Sequence, residues 1–179
     1  MRALGAAGAS VLLVGRDEDR LSRQVAKVAA VGGRGVAAIV DLADAEAAAG
    51  LVDRAVEEFG SLHGMVLAAS LFDPRPLEDT SFECLDTQWR TNVLAPMMMA
   101  KRAAPHLGKG SSIVFVGSTT GSVGFPGCSA YTATKGAVAA VSRALAVELA
   151  PKGIRVNIVV PGYVRTPMLH VRPRRRCAL

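Results

Sequence analysis

Five short apolar runs alternate with charged segments of helical period, and this alternation constrains the fold more than any other feature of the chain. The runs are SVLLVG (10–15), GVAAIV (35–40), HGMVLAA (63–69), SSIVFVGS (111–118) and IRVNIVV (154–160). Between them lie 17–33, with Leu21, Val25 and Val28 on one helical face, and 44–60, with Leu51, Ala55 and Phe59 on another. Two longer helical stretches follow, roughly 82–107 and 130–150, the second stopped by Pro151 and Gly153. Strands that are apolar throughout, rather than alternately, are buried on both faces. Such strands separated by amphipathic helices predict an α/β fold, a doubly wound parallel sheet with helices on both sides. In that architecture ligands bind at the carboxyl ends of the strands. Arg16, Asp41, Ser118 and the segment PGYVRT all follow strands.

At 179 residues, half of them hydrophobic, the chain is long enough for one good core. The start, Met1-Arg2 then ALGAAGASVLLVG, imitates a signal peptide. It is short and broken by glycine, and charged helical sequence follows at once. It reads instead as a helix end, a turn at Gly8 and a strand. The net charge of +6 falls by 4, to +2, without Arg172, Arg174, Arg175 and Arg176, so the body is nearly balanced. No basic stripe interleaved with aromatics appears, which argues against nucleic acid as a partner. No apolar stretch argues for a membrane span. Cys84, Cys128 and Cys177 show no CxxC spacing and point to reduced thiols in the cytoplasm. His63, His106 and His170 are scattered, without metal-ligand spacing, so no metal is expected.

The segment SAYTATKGAV places Tyr131 and Lys135 four residues apart, on one face of a helix. A free phenol keeps its proton to about pH 10. A lysine charge one turn away favours the phenolate and is expected to lower the pKa toward neutrality. Such a phenol can give a proton to a carbonyl oxygen or take one from an alcohol. Tyr-x-x-x-Lys alone also describes a plain surface pair. Ser118 lies thirteen residues earlier at a strand end, and Gly121, Gly124 and Gly127 let the chain fold back. Ser118 is thus a candidate partner for the Tyr131 oxygen, or simply a turn cap.

The stretch GSTTGSVGFPGCSAYTATKGAVAAVSRALAVELAPKGIRVNIVVPGYVRT resembles the core of the short-chain dehydrogenase/reductase family, and the likeness runs from Arg2 to Met168. The resemblance implies a Rossmann-like sheet and hydride transfer between a nicotinamide cofactor and a small-molecule ketone or secondary alcohol, in the manner of a 3-oxoacyl reductase. It implies Tyr131 as general acid or base, Ser118 as the group that orients the substrate oxygen, and Lys135 as the holder of the nicotinamide ribose. Asn92, in TNV, resembles the asparagine that supports a relay water; a helix-interior hydrogen bond is the plainer reading. Pro161, Gly162, Val164 and Thr166 match the segment that grips the carboxamide end of the cofactor. Asp41, with Leu42 beside it, resembles the aspartate at the adenine ring, or else caps a helix. Where the family selects NAD with an acid at the end of its second strand, this chain has Gly15 and then Arg16. A guanidinium pairs bidentately with a phosphate, so NADP(H) is favoured over NAD(H); a solvated loop arginine is the alternative.

The likeness also has gaps. The family opens with a strand and a loop, Thr-Gly-x-x-x-Gly-x-Gly, that holds the pyrophosphate, whereas RALGAAGASVLLVG resembles the end of the first helix and the second strand. The sheet is therefore expected to lack the family's first and last strands, leaving two unpaired inner edges and an apolar gap. LAAS (67–70) stands where the family usually has Asn-Asn-Ala-Gly, and Leu67 cannot make that asparagine's hydrogen bonds. Residues 1–168 are expected to form one incomplete oxidoreductase domain, and 169–179 a disordered basic tail. Helices over 82–107 and 130–150 resemble those through which the family forms homo-oligomers. A catalytically silent fragment, or a module that interacts through those helices, is the competing expectation.

Overall fold

A computed structural model of the chain describes residues 2–166 and 168. The expected basic tail, 169–179, lies outside the described residues. The element order is α1 (Arg2–Ala6), β1 (Ser10–Gly15), α2 (Glu18–Ala29), β2 (Arg34–Ile39), α3 (Ala45–Phe59), β3 (Leu62–Leu67), α4 (Phe82–Trp89), a π-helical turn (Arg90–Leu94), α5 (Ala95–Ala103), β4 (Leu107–Val116), α6 (Ser129–Leu149) and β5 (Arg155–Val159). All strand pairings are parallel. The α/β alternation, the expected strand positions and the Gly8 turn (φ 80°) are as anticipated.

Local chemistry sets the helix ends. Asp17 caps α2 by accepting from the Arg20 N–H, and Asp44 caps α3 by accepting from the N–H groups of Glu46 and Ala47. Gly60, in the left-handed region at φ 75°, closes α3. The cap of α3 is thus Asp44, and the capping alternative for Asp41 is overturned.

The long helix expected over 82–107 is corrected in two ways. It is interrupted by the π turn at Arg90–Leu94, and it stops at Ala103 so that Leu107 already belongs to β4. Helical periodicity cannot detect one extra residue in a turn, because the apolar stripe resumes after it.

The strands form two separate parallel pieces, β1–β2 and β3–β4–β5. Among the described residues β1 has a neighbour on one side only, as has β3, which matches the expected pair of open edges. Val66 in β3 is 52% exposed, and only Leu13 of β1 is buried. The larger core lies around β4, where Ile113 and Phe115 are buried in one cluster with Val52 of α3, Val93, Ala100 of α5, and Val138 and Leu149 of α6. Each such side chain contributes about 2 kcal/mol of burial. A smaller core of Leu13, Leu21 and Val28 holds α2 to β1. Helix α3 clips the two pieces together. Arg54 donates to the Ala37 carbonyl of β2 at 2.8 Å, while Arg34 of β2 pairs with Glu58 and lies over the Phe59 ring. No helix among the described residues is long and apolar enough to cross a membrane.

Candidate functional site

The chain leaves β4 at Val116 and keeps its pairing to the last strand for three more residues. The Gly117 N–H donates to the Val159 carbonyl at 2.8 Å, and the Thr119 N–H donates to the Pro161 carbonyl at 3.0 Å. This extension holds Ser118 and Pro161 side by side at the carboxyl end of the sheet. Ser118 caps the turn Thr119–Gly121, its Oγ accepting from the Thr120 N–H at 3.2 Å and from the Thr120 hydroxyl at 2.9 Å. Gly121 then lies directly on α6. A Cβ there would sit 3.0 Å from the Lys135 carbonyl and 3.1 Å from the Gly136 nitrogen, so any other residue would push the turn and α6 apart by a few tenths of an ångström. The loop-back expected from the glycines is real, and it carries Ser118 to Tyr131.

Tyr131 and Lys135 share the buried face of α6, 8% and 3% exposed. The Tyr131 ring meets Phe72 edge-on at 4.8 Å. The Ser70 and Ser118 hydroxyls flank its phenol closely enough to act on its pKa. Lys135 Nζ donates to the Val116 carbonyl at 2.8 Å and stands 5.6 Å from the centre of the Tyr131 ring.

The expected lowering of the Tyr131 pKa does not occur. Burial of Tyr131 is the dominant influence and pushes its pKa up; the hydrogen bonds from Ser70 and Ser118 pull it down, and Cys128 pushes it up further. Lys135 fails to offset this for a physical reason. Burial pushes its own pKa down to about 8, and it faces the ring and a carbonyl rather than the phenol oxygen.

Asn92 sits inside the π turn, 1% exposed. Its Oδ1 accepts from the Leu71 N–H at 2.7 Å and from the Ser70 hydroxyl at 3.1 Å. Its Nδ2 donates to the Leu71 carbonyl at 2.8 Å and to the Thr134 hydroxyl at 3.1 Å. Thr134 in turn donates to the Tyr131 carbonyl at 2.7 Å. The side chain therefore bridges the loop after β3 to α6, and makes no helix-interior bond. Gln88 grips the same loop one turn earlier, through the backbone of Asp73 at 3.4 Å. The Arg75 N–H donates to the Gly127 carbonyl at 2.8 Å and ties that loop to the glycine-rich one.

Sequence reasoning missed Ser70, Phe72 and Thr134 as parts of this site. The available signal was the departure LAAS, whose last residue is Ser70. Leu67, the first residue of that segment, turns into the main core instead of facing the site.

The other predicted residues lie at strand ends too. Arg16 follows β1 and Asp41 follows β2, and the two exposed side chains pair at 3.6 Å. Asp41 also accepts from the Ala43 N–H at 3.0 Å, with half-buried Leu42 between them. Pro161 is anchored through its carbonyl, and Gly162, Val164 and Thr166 are exposed.

These donors suit two ends of a dinucleotide. An exposed guanidinium stands at one strand end, and a buried ammonium with a single carbonyl partner stands beside two hydroxyls at another. Among the described residues no glycine-rich loop of the expected pattern serves the pyrophosphate between them. No group of His, Cys, Asp or Glu among them is arranged to hold a metal ion.

Comparison with known proteins agrees with this geometry. The sequence profile of a family described as enoyl-(acyl carrier protein) reductase matches residues 1–176. An uncharacterized oxidoreductase of Methylorubrum extorquens is 38% identical over 146 residues, which is 82% of this chain and 59% of that protein. A 3-oxoacyl-[acyl-carrier-protein] reductase of Mus musculus is 39% identical over 148 residues, 81% of this chain and 63% of that one. A short-chain dehydrogenase of Burkholderia cenocepacia, solved in complex with NADP, superposes with a TM-score of 0.90 at 37% identity, covering 93% of this chain and 69% of that one. The chain thus spans less than two thirds of the length of these two curated relatives.

Proposed function

This chain belongs to the short-chain dehydrogenase/reductase family, and from that premise we propose that residues 1–168 act as an NADP(H)-dependent oxidoreductase on a ketone or secondary alcohol, with a 3-oxoacyl group as the favoured substrate class. The observation that carries this reading is the buried Tyr131 side chain, with the Ser118 hydroxyl beside its phenol at the end of β4 and Lys135 beneath its ring.

A bound nicotinamide would supply or accept the hydride. The chain's own residues handle the proton. Ser118 donates to the substrate carbonyl oxygen and polarises it. Tyr131 gives its proton to that oxygen as the alcohol forms, and takes it back in the oxidative direction. Lys135 uses one N–H on the Val116 carbonyl and has two left for ribose hydroxyls. Asn92 has no spare side-chain hydrogen bond, so its part is to fix the Ser70–Leu71 backbone against α6 beside any relay water. Pro161, Gly162, Val164 and Thr166 line the carboxamide end, and Asp41 and Leu42 the adenine end. The free thiols of Cys84 and Cys128 fit a cytoplasmic enzyme.

The preference for NADP(H) rests on Arg16. Its pair with Asp41 is exposed on both sides and costs under about 1 kcal/mol to open, so the guanidinium can turn to a ribose phosphate. Thermal melting of the purified chain is expected to rise with NADPH by the equivalent of about 2.7 kcal/mol at 100 times the dissociation constant. Arg16→Glu is expected to weaken NADPH at least tenfold while leaving NADH nearly unchanged. Equal losses for the two cofactors would remove the phosphate role, and no shift with either would sink the proposed function. The activity itself is read as NADPH consumption with a 3-oxoacyl thioester.

We assign the partner as a second copy, docked through α4, α5 and α6. Phe82, Leu85, Trp89, Ala130 and Ala133 line an open apolar groove of about 220 Å³, with Phe82 82% exposed and Trp89 46% exposed. Small alanines beside projecting aromatics would suit a self-complementary contact, with Asp86 and Thr134 also at the groove. Phe82→Asp combined with Trp89→Asp should give a monomer in sedimentation analysis where the parent chain is dimeric or larger; an unchanged oligomer would exclude this face.

A further inference from the structure

We propose that Ser70 is a positioning residue for the reaction, a hydroxyl that turns between Asn92 and the Tyr131 oxygen as Tyr131 loses and regains its proton. The idea rests on the oxidoreductase reading above and deepens it. Its basis is the geometry of one hydrogen-bond cluster.

Asn92 cannot be flipped. Its Nδ2 faces a backbone carbonyl, that of Leu71, and its Oδ1 faces a backbone N–H, also that of Leu71. A reversed amide would set donor against donor and acceptor against acceptor. The atom facing Ser70 is therefore an acceptor, and the Ser70 proton points to it at 3.1 Å. The Ser70 oxygen then offers only lone pairs to its other neighbour, the Tyr131 phenol, on whose pKa it acts. While Tyr131 holds its proton, this arrangement is satisfied: the phenol can donate to Ser70, and Ser70 donates to Asn92, while Ser118, which already accepts twice from Thr120, can only donate.

When Tyr131 gives its proton to the substrate oxygen, the balance changes. The phenolate needs donors. Ser70 can rotate its proton from Asn92 to the phenolate by turning one bond, because Asn92 Oδ1 still accepts from Leu71 at 2.7 Å. No atom is transferred between Ser70 and Asn92, and an amide oxygen is no proton carrier. Ser70 thus stabilises the charged state and releases it when the proton returns. The fixed acceptor at Asn92 makes the device reversible. The residue occupies the place where the resembling family motif usually has a glycine.

The test uses the full chain and needs no turnover for its first readout. The sequence has two tyrosines, Tyr131 and Tyr163. In a Tyr163→Phe background, ultraviolet titration of tyrosinate reports Tyr131 alone. Adding Ser70→Ala should move that titration to higher pH, and Ser70→Thr should restore it. The second readout is activity. Ser70→Ala should lower kcat about tenfold, the effect of one hydrogen bond to a charged group, with little change in KM. The alkaline limb of the kcat profile should shift the same way as the titration, and Ser70→Thr should recover both. An unmoved Tyr131 titration in Ser70→Ala would overturn the proposal. Equal damage from Ala and Thr would also overturn it, since that result describes packing alone. A parent chain that neither binds cofactor nor turns over would defeat the oxidoreductase reading, while the titration would still decide the role of Ser70.

Discussion

Tyr131→Phe is expected to lower kcat about a thousandfold while leaving KM and folding nearly unchanged. The ring contact with Phe72 and the bed over Lys135 need only the aromatic face, which phenylalanine keeps. Only the hydroxyl is lost, and with it the proton transfer, whose usual worth is two to four powers of ten. The direction of the pH dependence follows from the raised pKa of Tyr131. Ketone reduction needs the protonated phenol, so its rate should hold through neutral pH and fall only as pH passes that raised value. Alcohol oxidation needs the phenolate, so its rate should climb with pH over the same range. Paired rate profiles for the two directions check this. A Tyr131→Phe enzyme within tenfold of the parent, with both profiles intact, would remove Tyr131 from the proton step.

The parts of this site that the sequence revealed are those with fixed spacing. Tyr131 and Lys135 share a face because helical period demands it, and Ser118 is brought towards them by a turn that packs on α6 at Gly121, where a Cβ would be crowded at 3.0 Å. The strands were legible because continuous apolar runs have few alternatives in a chain rich in helix caps. Less legible was anything set by three-dimensional balance. The direction of the Tyr131 shift depends on how much water surrounds the phenol and where the Lys135 ammonium points, and neither is a property of spacing. Lys135 is drawn aside to the Val116 carbonyl, nineteen residues away, by the packing of α6 on the end of β4. The π turn that carries Asn92 hides for another reason. One additional residue per turn leaves the apolar stripe of 82–103 nearly continuous, while it changes which backbone and side-chain groups face the loop after β3. Ser70 was overlooked because a serine after a strand normally means a turn. Its importance comes from two partners, at positions 92 and 131, that only the fold brings together.

The Lys135→Met variant is expected to be inactive and more stable, by about 2 kcal/mol at pH 7. The pKa of Lys135 is about 8 in the folded chain against 10.5 for the free group. Each unit is worth about 1.4 kcal/mol, so keeping the buried ammonium charged costs about 3 kcal/mol. The bond to the Val116 carbonyl, about 1 kcal/mol, would be lost with it. The sign with pH is fixed by proton binding. Below about pH 8 the group is protonated folded and unfolded, and the full cost is present. Between 8 and 10.5 the unfolded chain holds the proton more often, so the parent's stability gains with rising pH. Above 10.5 both states are neutral and the cost is gone. The stability gap between variant and parent should therefore be widest near neutrality, close through that window, and end with the parent favoured by its retained hydrogen bond. At neutral pH the gap corresponds to a melting increase of roughly 4–8 °C for a chain of this size. Thermal melts of both proteins from pH 7 to 11 test it, and a gap that is absent at pH 7 or flat with pH would refute the burial cost. A side chain that strains the fold yet serves the reaction is the usual stability–activity trade. Under the proposed role it has a direct cause: the ammonium sits buried beneath Tyr131, on the Val116 carbonyl, where a nicotinamide ribose would meet its two free N–H groups.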